Sequence, residues 1–315
     1  MSLSHPALRH GTTLTVGTFD GVHRGHRAVV DEIVARARSA GRRSVLVTFE
    51  PHPLAVVNPA AAPPLLTTGA ERREILAQTE LDFVVFLQFD RSLAAMSPEA
   101  FVRQVLIQRF GMRELVIGYD HGFGRGRSGD VDTLRRLGQD DGFQVDVVGP
   151  VELGGHPISS TQIRRAVTGG DLASARRLLG RPYSVSGRVV RGAGRGRTIG
   201  IPTINLGEIP GEKLFPPDGV YAAWVETPGG RFGAMLNQGP RPTFGDSGRT
   251  LEAHLLGFSG DLYGAWVRIE WVERLRDTRK FESPEQLVAQ LAADRGHAER
   301  VLDGFKQVQA IHDRR

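Results

Sequence analysis

The chain has 315 residues, 40% hydrophobic and 24% charged, the balance of a globular protein with chain enough for about two domains. It has no cysteine, which excludes disulfides, zinc–thiolate sites and a cysteine nucleophile. The net charge of +5 is small for this length and suits anionic small substrates as well as nucleic acid. No apolar run reaches the roughly eighteen residues of a membrane-spanning helix, and MSLSHPALRHG lacks an apolar signal core, so a cytoplasmic protein is the default expectation.

Strand-like and helix-like segments alternate through the first half. Apolar runs occur at Leu14 to Gly17, Ser44 to Phe49, Phe83 to Leu87, Leu115 to Gly118 and Phe143 to Val148. Helical patterns lie between them at Ala28 to Arg38, Ala70 to Gln78, Pro98 to Phe110 and Val131 to Asp140, and two more follow at Ser160 to Val167 and Leu172 to Leu179. Short continuous apolar strands alternating with helices predict an α/β, doubly wound parallel sheet, with ligands at the carboxyl ends of its strands. The first such end carries TFDGVHRGH, residues 18 to 26. His23 and His26 are three apart, a spacing that puts both on one helical face. Paired imidazoles beside the unpaired N–H groups of a helix start make a phosphate site, and Gly21 and Gly25 let a large ligand approach the backbone. TFEPHP, GYDHGFGRGRSGD and ISSTQIRR are expected at the same sheet edge, while the proline-rich stretch Pro51 to Pro64 reads as a loop.

The texture changes at Gly180-Arg181-Pro182. Short alternating strands separated by Gly, Pro and Asp turns then predict a small antiparallel β-barrel, closed by a helix that Ser283 caps and Pro284 opens. The expected domains are residues 1–181 and 182–315. GRVVRGAGRGRTIGIPTINL contains Gly192, Gly194, Gly196 and Gly200, whose N–H groups can surround phosphates; Arg191, Arg195 and Arg197 also fit a solvated surface. Thr203 and Asn205 point the same way from an extended chain and carry hard oxygens fit for Mg²⁺, although such a pair is more often a plain strand face. Alternation puts Glu252 and His254 on one side of a strand and Leu251, Ala253 and Leu255 on the other; an isolated acid there is usually solvent-facing.

Taken in order, these segments resemble the prokaryotic bifunctional riboflavin kinase/FAD synthetases from about Thr13 to Leu302. GxFDGVHxGH, TFEPHP, GYDxxFGxGRxGD, SSTxIR and GDLASARRLLGRPY match the FMN adenylyltransferase module, of the HxGH nucleotidylyltransferase kind. PTIN in place of PTAN, PPDGVYA, NQGPRPTFG, LEAHLLGFSGDLYG and the ESPEQLVAQL tail match the riboflavin kinase module. The resemblance implies phosphorylation of riboflavin to FMN, then adenylylation of FMN to FAD, both from ATP with Mg²⁺. It implies that His23 and His26 hold the reacting phosphates, that Ser160, Thr161 and Arg164 hold the outer ones, and that Phe19, Gly21 and Asp120 face nucleotide or flavin. In the second module it assigns Gly192, Gly194, Arg197 and Arg241 to binding, Thr203 and Asn205 to Mg-ATP, and Glu252 to deprotonation of the riboflavin 5′-hydroxyl. His121 and Gly122 stand where many relatives carry other residues, and Ile204 adds bulk beside the metal ligands. No nucleic acid, membrane or obligate protein partner is implied. Two other readings compete: a nucleotidylyltransferase acting on a different phosphate acceptor, and a flavin- or RNA-binding protein without catalysis.

Overall fold

The structure, a computed structural model, describes residues 8, 10–119, 130–192, 200–240 and 249–312, with side chains as far as 307. The chain divides into two compact units, Met1–Ser160 and Thr161–Arg315.

In the first unit β1 (Thr12–Val16), β2 (Arg43–Glu50), β3 (Phe83–Gln88), β4 (Met112–Gly118) and β5 (Gln144–Val148) form one parallel sheet in the order β3-β2-β1-β4-β5. The order reverses between β1 and β4, so the crevice at their carboxyl ends is the place where such sheets bind ligands. β1 is buried at every position, Leu14 and Val16 together with the threonines Thr12, Thr13 and Thr15. α1 (Arg24–Ser39) turns Val29, Val30, Ile33, Val34 and Ala37 inward. Its far end is tied to the sheet by the buried Glu114 carboxylate, which accepts from Thr13 at 2.9 Å, Arg36 at 3.0 Å and Arg42 at 3.2 Å.

The stretch expected as a loop, 51–64, contains α2 (Pro53–Val57), whose start is capped by His52 Nδ1, and a 3₁₀ turn over Pro59–Ala61. Proline at the first helical position costs no hydrogen bond, so a proline-rich run is compatible with short helices as well as with a loop. α3 (Gly69–Leu76) opens on a capping box made by Thr68 and Glu71, and α4 (Arg91–Ala94) on Asp90. The helix expected over 98–110 is composite: α5 (Pro98–Ala100), a π-helical stretch Phe101–Ile107, and α6 (Gln108–Phe110), stopped by Gly111 at φ 65°. α7 (Val131–Asp141) precedes β5, and a small hairpin of β6 (Glu152–Leu153) and β7 (His156–Pro157) follows it, unforeseen from sequence.

α8 (Ser160–Thr168) and α9 (Leu172–Leu179) match their expected spans, and α9 packs on the barrel strand β13. The barrel is β8 (Ser184–Val190), β9 (Ile204–Gly207), β10 (Gly219–Thr227), β11 (Gly230–Pro240), β12 (Arg249–Leu255) and β13 (Trp266–Arg276). These close in the order β10-β11-β12-β9-β8-β13 with antiparallel neighbours. Alternate residues such as Tyr221, Ala223 and Val225, or Leu251, Ala253 and Leu255, are buried. α10 (Pro284–His312), capped by the Ser283 hydroxyl, lies against β10, β11 and β13, where Ala298 and Leu302 cover Ala222, Trp224 and Met235. Asp294, almost fully buried, receives the Arg276 guanidinium through Nε and Nη2 and locks this helix to the barrel.

Candidate functional site

The turn between β1 and α1 is built under strain. Phe19, Gly21 and Val22 have φ of 48°, 85° and 39°, and a left-handed β-branched valine costs about 1–3 kcal/mol. Long-range contacts hold it there. The buried Asp20 carboxylate accepts from Leu66 N at 3.0 Å, Thr67 N at 2.9 Å and the Thr67 hydroxyl at 3.1 Å. Gly21 N donates back to that hydroxyl at 3.0 Å. Phe19 and Val22 are buried with Val30, Leu46, Ile75 and Leu76.

This turn delivers His23 as the N-cap of α1, outside the helix, so the two histidines do not share a helical face as expected. They meet instead by stacking, with ring centroids 3.6 Å apart and planes 16° from parallel. The His23 Nδ1 accepts from the His26 N–H at 3.3 Å, so in the neutral ring the proton sits on Nε2, which is then a donor. Gly25 gives the stack room: a Cβ there would lie 3.2 Å from both Cε1 and Nδ1 of His23, closer than ordinary contact. The first turn of α1 contains no acid, and among the described residues the N–H groups of Arg24 and Gly25 have no partner. An imidazole N–H, free amides and the positive helix end are groups whose chemistry suits an anion.

Phe19 was expected to face a ligand, but its ring is core, 4.9 Å from the His26 ring, which it supports. The Ser160 hydroxyl, expected at phosphate, donates to the Asp20 carbonyl at 3.0 Å. Gly21 lies within the turn itself; Thr161 is exposed and Arg164 half-buried on α8. Asp120, His121 and Gly122 lie outside the described residues.

Sequence reasoning missed Arg72. Its buried guanidinium donates to Thr18 O at 2.7 Å and Phe49 O at 2.8 Å, joining the chain beyond β1 to the end of β2. Burial pulls its pKa below the ordinary arginine value, against the charges of Asp20 and Glu50. The T-x-x-E capping box just before it was the legible signal for the helix that carries it.

In the barrel, Asn205 on β9, Glu252 on β12 and Asn237 on β11 stand directly opposite one another across three strands. Residues abreast in a sheet point to one face, with neighbouring Cβ atoms about 5 Å apart. The alternation along β12 is as expected, Leu251, Ala253 and Leu255 buried and Glu252 half-buried, so this row lies on the outer face. Asn237 was not foreseen. Thr203 lies two residues before Asn205, just outside β9. Gly192 presses on the same asparagine: a Cβ there would lie 2.2 Å from Asn205 Nδ2, 2.5 Å from Cγ and 2.8 Å from Oδ1. Gly194, Arg197 and Arg241 lie outside the described residues. No cluster of three or more His, Cys, Asp or Glu that could hold a metal occurs among the described residues.

Comparison with known proteins decides what these two arrangements belong to. The family model for FAD synthetase matches residues 5–162, and that for riboflavin kinase matches residues 179–302. The chain is 38% identical over 289 residues to the bifunctional riboflavin kinase/FMN adenylyltransferase of Escherichia coli (strain K12), covering 91% of this chain and 92% of that one. The chain belongs to the bifunctional riboflavin kinase/FMN adenylyltransferase family. The enzyme of that description from Bacillus subtilis (strain 168) is 32% identical over 300 residues, 94% of each chain. A solved structure from Streptococcus pneumoniae, described as a macrolide-efflux protein, matches with a TM-score of 0.82 at 32% identity, covering 94% of this chain and 95% of that one. Among the described residues here, no helix is long and apolar enough to cross a membrane. The enzyme thus joins a FAD synthetase module and a riboflavin kinase module in one chain.

Proposed function

We propose that the barrel phosphorylates the riboflavin 5′-hydroxyl to give FMN and that the parallel-sheet unit adenylylates FMN to FAD, each from ATP. The carrying observation is the chemical contrast between the two sites. At the β1–α1 turn the nearby carboxylate, Asp20, is buried and occupied by Leu66 and Thr67, leaving imidazoles and amides. At the barrel a half-buried carboxylate, Glu252, stands beside Asn205. An FMN phosphate is already ionised at neutral pH and needs no base, whereas a primary alcohol gains from one.

In the first unit an FMN phosphate oxygen attacks the α-phosphorus of ATP, and the bond to the leaving pyrophosphate breaks. His23 Nε2–H, His26 and the α1 amides stabilise charge on these oxygens, catalysis by position and electrostatics. Thr161 and Arg164 are assigned to the outer phosphates and Asp120 to the nucleotide or flavin. Ser160 and Phe19 keep the turn and His26 in place. In the barrel Glu252 takes the proton as the 5′-oxygen attacks the γ-phosphorus and ADP leaves. Gly192, Gly194, Arg197 and Arg241 are assigned to nucleotide and flavin binding. The Thr203 hydroxyl and the Asn205 side-chain carbonyl are hard oxygen donors, and the missing Cβ of Gly192 leaves the room that the Asn205 amide occupies. The set fits Mg²⁺ held jointly with ATP phosphates, where the ion would offset phosphate charge. We assign adenylyl transfer to 1–181 and the kinase to 182–315. Riboflavin, FMN and ATP suit a cytoplasmic enzyme that needs neither nucleic acid nor a protein partner.

Incubation with riboflavin, MgATP and chromatography of the flavins tests this reading. FMN followed by FAD is expected, and supplied FMN should be converted to FAD directly. FMN without FAD would mean a different acceptor for the first unit, and neither flavin would refute the reading.

A further inference from the structure

We infer that His254 is a positioning residue of the kinase centre, holding Thr203 beside Glu252 by a bond that stands in for a missing strand ladder. This rests on the roles proposed for Thr203, Asn205 and Glu252.

β9 is only four residues long, Ile204–Gly207. Its pairing with β12 consists of Glu252 with Asn205 and Ala253 with Ile204, and its pairing with β8 ends at Val190 with Asn205. Continuing the β12 register would set His254 against Thr203, but the ladder stops one residue short. Thr203 therefore lies beyond the strand pairing on both sides, three residues after Gly200 at φ 75°. A hydroxyl at such an end has no backbone reason to keep one position. The next tie is the His254 side chain, whose Nδ1 lies 2.8 Å from the Pro202 carbonyl oxygen.

A carbonyl oxygen only accepts, so Nδ1 carries the hydrogen. Both the neutral ring of that tautomer and the protonated ring make this donation, so the tie does not depend on the charge state. His254 shares the outer face of β12 with Glu252, two residues and about 7 Å along the strand. The same strand thus presents the base and pins the segment that brings the nucleotide ligands to it. His254 touches Pro202 rather than any reacting atom, so its effect passes through Thr203 and Asn205.

The test compares His254→Leu, which removes the donor, with His254→Asn, whose amide N–H reproduces the Nδ1 position. The leucine variant should lose about tenfold in kinase kcat/KM. The loss should fall on the MgATP dependence, with riboflavin affinity, read by flavin fluorescence, within about twofold of the parent. The asparagine variant should recover most of the loss, and conversion of supplied FMN to FAD should be unchanged in both. If His254→Leu fails to fold, His254→Gln serves, since its amide reaches the Nε2 position instead. Kinase kinetics of the donor-deficient variant indistinguishable from the parent, or no rescue by asparagine, would overturn the inference. Glu252→Gln run alongside separates the two levels: retained kinase activity there would sink the site reading itself, whatever His254 does.

Discussion

Gly192→Ala should disable the kinase while leaving the barrel folded. Gly192 is exposed and its φ lies outside the left-handed region, so alanine fits its backbone without strain and stability should hold or rise slightly. The added Cβ would lie 2.2 Å from Asn205 Nδ2, and ordinary contact begins at 3.4 Å, so the amide must retreat by about 1.2 Å. Asn205 ends a side chain that can rotate, and the clash displaces its amide from the position it holds opposite Glu252. Displacement of about 1 Å in an aligned site costs roughly a hundredfold, or about 2.7 kcal/mol of barrier. The assay is initial-rate conversion of riboflavin to FMN over a range of MgATP, with conversion of supplied FMN to FAD as the internal control. A kinase rate within threefold of the parent, or an equal fall in both activities, would refute the reasoning.

Two further outcomes are expected. Gly25→Ala puts a Cβ 3.2 Å from the His23 ring, which must give by a few tenths of an ångström and loosen its stack on His26. FMN adenylylation should fall about tenfold with the kinase unchanged, read on the same flavin chromatogram. Asp82→Asn tests the start of β3 in a pH series. Burial would raise this carboxyl, but the Ser44 amide and hydroxyl and Arg43 together hold it below the ordinary aspartate value. A depressed carboxyl contributes stability above its unfolded pKa, about 3.9, and that stability is lost as pH falls through the folded value. The variant should unfold about 1 kcal/mol more easily near neutral pH, and the gap should close below about pH 4. A gap that widens in acid would contradict the assignment.

What the sequence made legible follows from how each feature is encoded. β1 and β2 are buried almost throughout, so they are written as short runs of apolar and small hydroxyl residues rich in Leu, Val and Thr. The HxGH pair and PTIN were visible because each is a short motif at an element boundary, whereas Glu252, in the middle of β12, stood out only through the family resemblance. The turn that aims His23 was not, because Asp20 reaches across to Leu66 and Thr67, and Arg72 to Thr18 and Phe49. Such contacts join residues tens of positions apart and leave no local period. The placement of His23 as a cap came from the same source: three left-handed residues end just before α1, which starts at Arg24, four residues ahead of the expected Ala28. The contact of Gly192 with Asn205 and the row from Asn205 to Asn237 depend on barrel register, which alternation constrains only to the choice of face. The proline-rich stretch after β2 misled because proline serves a helix start as readily as a loop.

The central claim is that two separate centres act in turn, one with a base and one without. Supplying Glu252→Gln and His26→Ala variants with riboflavin or with FMN, under MgATP, tests it most directly. Loss of a general base costs about 10²–10⁴-fold, so Glu252→Gln should form almost no FMN from riboflavin yet convert supplied FMN to FAD at the parental rate. His26→Ala should do the reverse, accumulating FMN without FAD. Loss of both activities in either variant, or FMN formation by Glu252→Gln at the parental rate, would contradict the account.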